Sequence, residues 1–224
     1  MPTILHVNAS PRFANSDSLR LARHFIESVQ AAGTERYEIE TLDLFDEGVL
    51  PAFGRAAAAA KMAVFTGQAQ TSEQISAWES ARTVFDQFAR ADAYVFNIPL
   101  WNSGVPYVVK QWIDIITQPG WSFSFDPEQG YSGLIEGKQA VAIHTSGIYS
   151  PGVPPAFGAD FSTPFFADWL SFVGIDDATH VRFAPTSHGD IEAKRRAAEI
   201  ELSDAVLTFA GKLGTVAALE LVNE

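Results

Sequence analysis

The chain has 224 residues, of which 47% are hydrophobic, 12% aromatic and 19% charged, the balance of one globular domain (1–224) with no linker-like stretch dividing it. A formal net charge of -12 sets a repulsive field against nucleic-acid phosphates and anionic membranes, and no run reaches the roughly 18 apolar residues of a bilayer crossing. The lack of cysteine excludes disulfides, thiolate nucleophiles and Cys-based metal sites; with no basic segment ahead of a cleavable apolar stretch, the expected location is cytoplasmic.

The β-branched run TILHVN (3–8) predicts a first strand, and the polar loop NASPRFANSDS follows it. In SLRLARHFIESVQAAG, Leu19, Ala22, Phe25, Ile26 and Val29 recur at helical spacing, and Gly33 is placed to end the helix. YEIETLDL (37–44) alternates apolar and polar residues as a second strand, which makes a βαβ unit with a right-handed crossover. GRAAAAAKMAVFTGQ predicts a helix, with a mobile loop as the alternative for its alanine run at 56–60. TSEQISAWESARTVFDQFARAD predicts a second one, capped by Thr71 or Ser72, with Glu73 or Gln74 in its first turn. Its expected buried face is Ile75, Trp78, Val84, Phe85 and Phe88.

The apolar run from Ala93 to Ile98 reads as a central parallel strand, followed by the loop PLWNSGVP and the helix YVVKQWIDIIT. QAVAIHTSG (139–147) repeats the plan, an apolar strand running into a polar loop. TPFFADWLSFVGI then reads as a helix, ATHVRFAP as the last strand and DIEAKRRAAEIELSDAVLTFAGKL as a closing helix, leaving about 213–224 as a tail. Five strands alternating with helices predict an open, doubly wound α/β sheet.

In such a sheet ligands bind beyond the carboxyl ends of the strands, and three loops fall there: NASPRFANSDS, PLWNSG (99–104) and HTSGIYS (144–150). The first lacks both GxGxxG and GxxxxGK[ST], so neither a pyrophosphate nor a triphosphate cradle is present. Ser16, Asp17 and Ser18 stand instead at a helix start, where free N–H groups and serine hydroxyls suit a monophosphate; the alternative is a plain helix cap. In the second loop Trp101 either stacks on a planar ligand or fills a core gap, and Asn102 can bond a heterocycle edge. In the third, Thr145, Ser146 and Gly147 are small enough for close approach to a ring, or form an ordinary loop.

The serines after the first strand, PLWNSGVPYVVKQWID, GWSFSFDPEQGYSGLIEGKQAVAI and TPFFADWLSFVGI occur in this order, and the chain resembles FMN-dependent NADH azoreductases and NAD(P)H:quinone oxidoreductases over roughly residues 3 to 210. The resemblance implies a flavodoxin-like three-layer sandwich, a five-stranded parallel sheet in the order 2-1-3-4-5 with helices on both faces. It implies bound FMN, NADH or NADPH as co-substrate, and a homodimer with the active site at the interface.

Residue by residue, the resemblance implies that Ser10, Ser16, Asp17 and Ser18 hold the phosphate and ribityl chain, and that Pro99, Leu100, Trp101, Asn102 and Ser103 cradle the ring. Thr145, Ser146 and Gly147 approach its pyrimidine side, and Phe125 lines the substrate pocket with Trp169 or Phe172 of the other subunit. Three positions depart from the family pattern: Asp17 between two serines, Trp101–Asn102–Ser103 for a Tyr-Asn-Phe, and Ile148 after Gly147.

The implied activity is ping-pong, two-electron reduction of quinones and azo compounds, with the flavin doing the chemistry and no catalytic side chain or metal needed. Alternatives are a dedicated step on one aromatic or quinonoid metabolite, an electron carrier of flavodoxin type, which strong acidity suits, and a flavin-free interaction module. Among the histidines, His6 reads as a packing residue, His144, close to the ligand edge, as a packing residue or one with a proton-relay or substrate role, and His24, His180 and His188 as surface or loop residues. Tyr149 is the better candidate for a substrate-contacting hydroxyl.

Overall fold

The computed structural model describes residues 1–12, 15–33 and 36–222, with side chains described through residue 213. In chain order the elements are β1 (Thr3–Asn8), α1 (Asp17–Ala32), β2 (Glu38–Asp43), α2 (Arg55–Thr66), α3 (Ser72–Arg90), β3 (Ala93–Pro99) and α4 (Tyr107–Ile116). There follow β4 (Phe123–Asp126), β5 (Gly130–Gly133), β6 (Gln139–Thr145), α5 (Ser162–Val173), β7 (Asp177–Phe183) and α6 (Ile191–Val222).

The main sheet runs β2-β1-β3-β6-β7, all parallel, which is the expected 2-1-3-4-5 order once the separate antiparallel pair β4–β5 is set aside. β1 pairs with β2 on one side and β3 on the other, so the winding direction reverses between β1 and β3 and leaves a crevice beyond Asn8 and Asn97. Side chains alternate between two cores, as the pleat requires. Leu5, Val7, Tyr94, Phe96 and Ala142 face Phe88, Trp112, Phe166 and Trp169 of α3, α4 and α5. Ile4, Val95, Ile143 and Val181 face Phe25 and Val29 of α1 and Leu202 and Phe209 of α6. The result is the three-layer sandwich. Among the described residues no helix is long and apolar enough to cross a membrane.

The caps follow the sequence. Thr71 accepts from the Gln74 amide at 3.3 Å while the Gln74 side chain accepts from the Thr71 N–H at 2.9 Å, a complete capping box. The alanine run is helical, inside α2.

Gly33 ends α1 as expected, at φ -70°, and a Cβ there would lie 2.7 Å from the Tyr37 ring, so close approach calls for glycine. Several other expectations are corrected. Ile75 is 43% exposed because burial on α3 begins only at Ala81, and Trp78 half-buries itself against Trp121, ring centroids 4.5 Å apart. Trp169 is a core residue, 4% exposed, its indole N–H donating to Thr117 Oγ1 at 3.0 Å. His180 is not a surface residue but a half-buried one within β7. The closing helix continues past 213 to Val222, and 223 and 224 lie outside the described residues.

The β4–β5 hairpin lies in a stretch with no expected strands. Gly133 of β5 lies against Gly174, where a Cβ would come within 2.2 Å of the Gly174 nitrogen, and the Ile135 N–H bonds the Val173 carbonyl at 2.9 Å. The hairpin is thus anchored at the end of α5, three residues before β7 begins, on the edge of the sheet opposite the crevice.

Candidate functional site

The floor of the crevice is a buried polar network whose direction is set by one carboxylate. Asn8 donates from Nδ2 to Asp43 Oδ2 at 2.6 Å, so its Oδ1 accepts, from Asn97 Nδ2 at 2.7 Å and from the Ser10 N–H at 3.1 Å. Asn97 must then accept through Oδ1, which receives His6 Nε2–H at 2.8 Å. Burial lowers the His6 pKa, Asn97 and Asp43 opposing and Arg23 adding to it, so the ring is neutral and its tautomer is fixed by the chain of partners. With Asn97 fully buried, the network holds the end of β3 and the start of the first loop in one arrangement.

Above this floor Ser16 caps α1, its Oγ accepting from the Leu19 N–H at 3.2 Å, and it lies 3.2 Å from Ser18 Oγ. A hydroxyl that accepts as a cap still has a proton to give, so capping and ligand binding are compatible here. Asp17 turns along the helix exterior to pair with Arg20 at 2.6 Å, which removes its carboxylate from competition with an anion at the helix start.

A cleft of ≈ 140 Å³ is lined by Ser10, Ser16, Asp17, Ser18, Pro99, Leu100, Trp101, Thr145, Ser146 and Gly147, together with Pro11, Arg12 and Thr186. Ten of the twelve expected cofactor-binding positions therefore share one cavity. Asn102 and Ser103 do not line it. They are the central residues of a tight turn closed by reciprocal 2.9 Å bonds between Trp101 and Gly104, with φ 48° and 68°. The turn is tied down where the Phe161 N–H bonds the Ser103 carbonyl at 2.8 Å, and it holds Trp101, 36% exposed, at the cleft mouth beside Phe45.

Three lining or supporting groups escape sequence reading. Arg12 supplies the cleft with a cation, and Thr186 comes from the loop after β7, whose amides bond the 146–147 loop: Thr186 N–H to the Ser146 carbonyl at 2.8 Å and Ser187 N–H to that of Gly147 at 3.1 Å. The available signal is an asparagine near the carboxyl end of each strand, Asn8 closing β1 and Asn97 two residues before the end of β3.

The residues expected around substrate are dispersed. Phe125 is 56% exposed on the hairpin and packs on Tyr131 at 4.9 Å, and Phe172 is half-buried beneath Tyr131 and Phe123. Both sit at the anchored hairpin, away from this chain's cleft. Tyr149 lines a small cavity behind residues 145–146 together with His144. His144 is 5% exposed, and burial, then the neighbouring His180, pushes its pKa down to about 3. Among the described residues no group of His, Asp and Glu could hold a metal.

The donor set fits a phosphate monoester carrying a polar chain: serine hydroxyls and a guanidinium at a helix N-terminus, with the one nearby carboxylate already paired. Comparison with known proteins agrees. A family profile described as flavodoxin-like fold matches residues 2–206. An FMN-dependent NADH:quinone oxidoreductase of Ruegeria pomeroyi is 42% identical over 187 residues, 83% of this chain and 90% of the relative. One from Nitratidesulfovibrio vulgaris is 36% identical over 203 residues, 90% and 96% of the two chains. An FMN-dependent NADH-azoreductase of Bacillus anthracis, solved in complex with FMN, superposes with a TM-score of 0.82 at 26% identity, covering 94% of this chain and all of its own.

Proposed function

The chain belongs to the flavodoxin-like family of FMN-dependent NADH:quinone oxidoreductases and is an oxidoreductase, and from that membership we propose how its own residues serve the reaction. FMN, when bound, supplies two-electron chemistry between a nicotinamide and a quinone or azo compound. The observation that carries the reading is the cleft itself, which gathers ten of the expected binding residues over a rigid polar floor.

Ser10, Ser16, Ser18 and Arg12 grip the phosphate, and the α1 N-terminus favours its charge. Trp101 would flank the ring of a bound flavin, and the backbone around Gly147 would offer hydrogen-bond donors to its polar edge. At ≈ 140 Å³ the cleft is smaller than the roughly 300 Å³ and upward of closed ligand pockets, so it holds one end of FMN and leaves the rest along an open edge. NADH or NADPH and a flat acceptor use that edge in turn, which is a ping-pong cycle.

Closing the edge is the task of a second copy of the chain. Phe125, Tyr131 and Phe172 are anchored across the sheet from their own cleft, and the exposed faces of Phe125 and Tyr131 are apolar area that a homodimer would cover, delivering aromatic residues to the partner's cleft. The acidic surface suits a cytoplasmic protein that does not engage nucleic acid or membranes.

Anaerobic stopped-flow mixing of FMN-loaded protein with NADH tests the proposal. Rapid bleaching followed by reoxidation with a quinone is expected; loaded protein that NADH leaves oxidised contradicts the reading and favours a one-electron carrier.

A further inference from the structure

Behind the wall formed by Leu100, Thr145 and Ser146 lies a second cavity of ≈ 10 Å³, about the space one water requires. That wall is shared: the same three residues line the candidate cofactor cleft on its other side. Two buried atoms of residues lining the small cavity, His144 Nδ1 and Ser162 Oγ, have no hydrogen-bond partner among the described residues. Left so, each carries a desolvation penalty, which one water bonded to both removes.

The other face of His144 leads outward. Its Nε2 is 3.1 Å from His180 Nδ1, with the rings 5.4 Å apart and 22° from parallel. His180 is half-buried on β7, the edge strand of the sheet. A line of groups that both accept and donate protons thus runs from the solvent side of the sheet edge to the back wall of the cleft.

We propose that His180, His144 and one water in this cavity form a proton path from solvent to the cleft, serving the acceptor half of the reaction. The proposal rests on the function proposed above. NADH + H⁺ + quinone gives NAD⁺ + hydroquinone: both electrons and one hydrogen come from the nicotinamide, and the remaining proton comes from solvent. A proton taken up at His180 Nε2 releases the one on His180 Nδ1 to His144 Nε2, and His144 Nδ1–H passes its own to the water. Both rings end as the opposite neutral tautomer, and each must part from its partner and exchange its N–H with solvent before the path carries a second proton.

The surroundings favour passage over storage of charge. Around His144 stand His180 and Arg182 from β7, Asp160 from the segment before α5, and Tyr149 after β6. Asp160 lies 3.8 Å from the Arg182 guanidinium and accepts from the Ser162 and Thr163 amides, so its charge is already engaged. Burial, then the His180 ring and the Arg182 guanidinium, keep His144 neutral.

The test compares acceptors in FMN-loaded protein. Quinone reduction takes up a proton on the acceptor, whereas ferricyanide takes single electrons and none. His180→Phe and His144→Phe are each expected to slow quinone reduction about tenfold and to change its solvent isotope effect, while NADH–ferricyanide turnover stays within about twofold. In the cofactor-free chain, imidazole NMR is expected to show His144 neutral at pH 5 and in contact with a long-lived bound water, lost in Ser162→Ala. Equal loss with both acceptors, no loss with either, or no bound water overturns the path. If wild-type protein loaded with FMN fails to oxidise NADH with any acceptor, the functional reading fails instead, and the NMR result stands apart from it.

Discussion

Two buried histidines flank the cleft, and the contrast between them separates what is fixed in this site from what can move. His6 ends a chain of partners running through Asn97 and Asn8 to Asp43, and each bond of that chain has one allowed direction. His144, the sixth of the seven residues of β6, has a partner on one nitrogen and a water-sized space beside the other. The first arrangement is closed and fixes geometry beneath the phosphate end; the second can reverse its hydrogen bonds without moving a heavy atom. The same fold edge therefore supplies rigidity on one side and proton exchange on the other.

Acid breaks the comparison most strongly. His144 has an ordinary value of 6.5 in the unfolded chain and about 3 in the folded one, so the unfolded state binds the extra proton between them. Its contribution to stability is complete above pH 6.5 and is lost as pH falls toward 3, about 5 kcal/mol across that window. Urea unfolding from pH 7 to pH 4 should show this slope, and His144→Phe should flatten most of it; an unchanged slope in the variant would assign acid sensitivity elsewhere.

Asn97→Leu attacks the closed side. It removes the partner of His6 and of Asn8 at a fully buried position, and a loss of about 3 kcal/mol in chemical denaturation is expected. A change below about 1 kcal/mol would mean that the network is not the rigid floor described above.

Smaller effects sharpen the picture at the ligand end. Ser18→Ala should weaken FMN binding by about 1 to 2 kcal/mol, on the order of tenfold, through loss of a charge-assisted hydrogen bond, measured by fluorescence quenching. Asp17→Asn should leave FMN affinity within about twofold, because the carboxylate is turned to Arg20 in an exposed pair of little energetic weight. A large gain in affinity would show that Asp17 does face the phosphate.

Much of this was legible in the sequence because it depends on local pattern. Periodicity located the five strands of the sheet and the helices between them, and the polar loops after three strands pointed to seven residues of the cleft, with Ser10, Pro99 and Leu100 added by the family resemblance. What stayed hidden depends on adjacency across the sheet. Asn8 and Asn97 read only as residues of the first and third strands, and it is the pairing of β1 with β3 that brings their side chains together; His180 likewise reads as a surface or loop residue until β7 lies beside β6. The family resemblance implied Trp169 or Phe172 of the other subunit at the substrate pocket; packing against Phe88, Trp112 and Phe166 places Trp169 in the core. Asn102 and Ser103 carry the right side chains for ring contacts, yet their positive φ makes them turn residues that aim Trp101. The four-residue strands of the hairpin were too short to give a periodic signal.

The central claim is that the cleft is built around a single phosphate. Titration of the cofactor-free protein with FMN and with riboflavin, which differ only in that group, tests it most directly. The account predicts one FMN per chain with its fluorescence quenched, and riboflavin binding weaker by roughly a hundredfold, the loss of two or so charge-assisted hydrogen bonds. Equal affinity for the two flavins would contradict it.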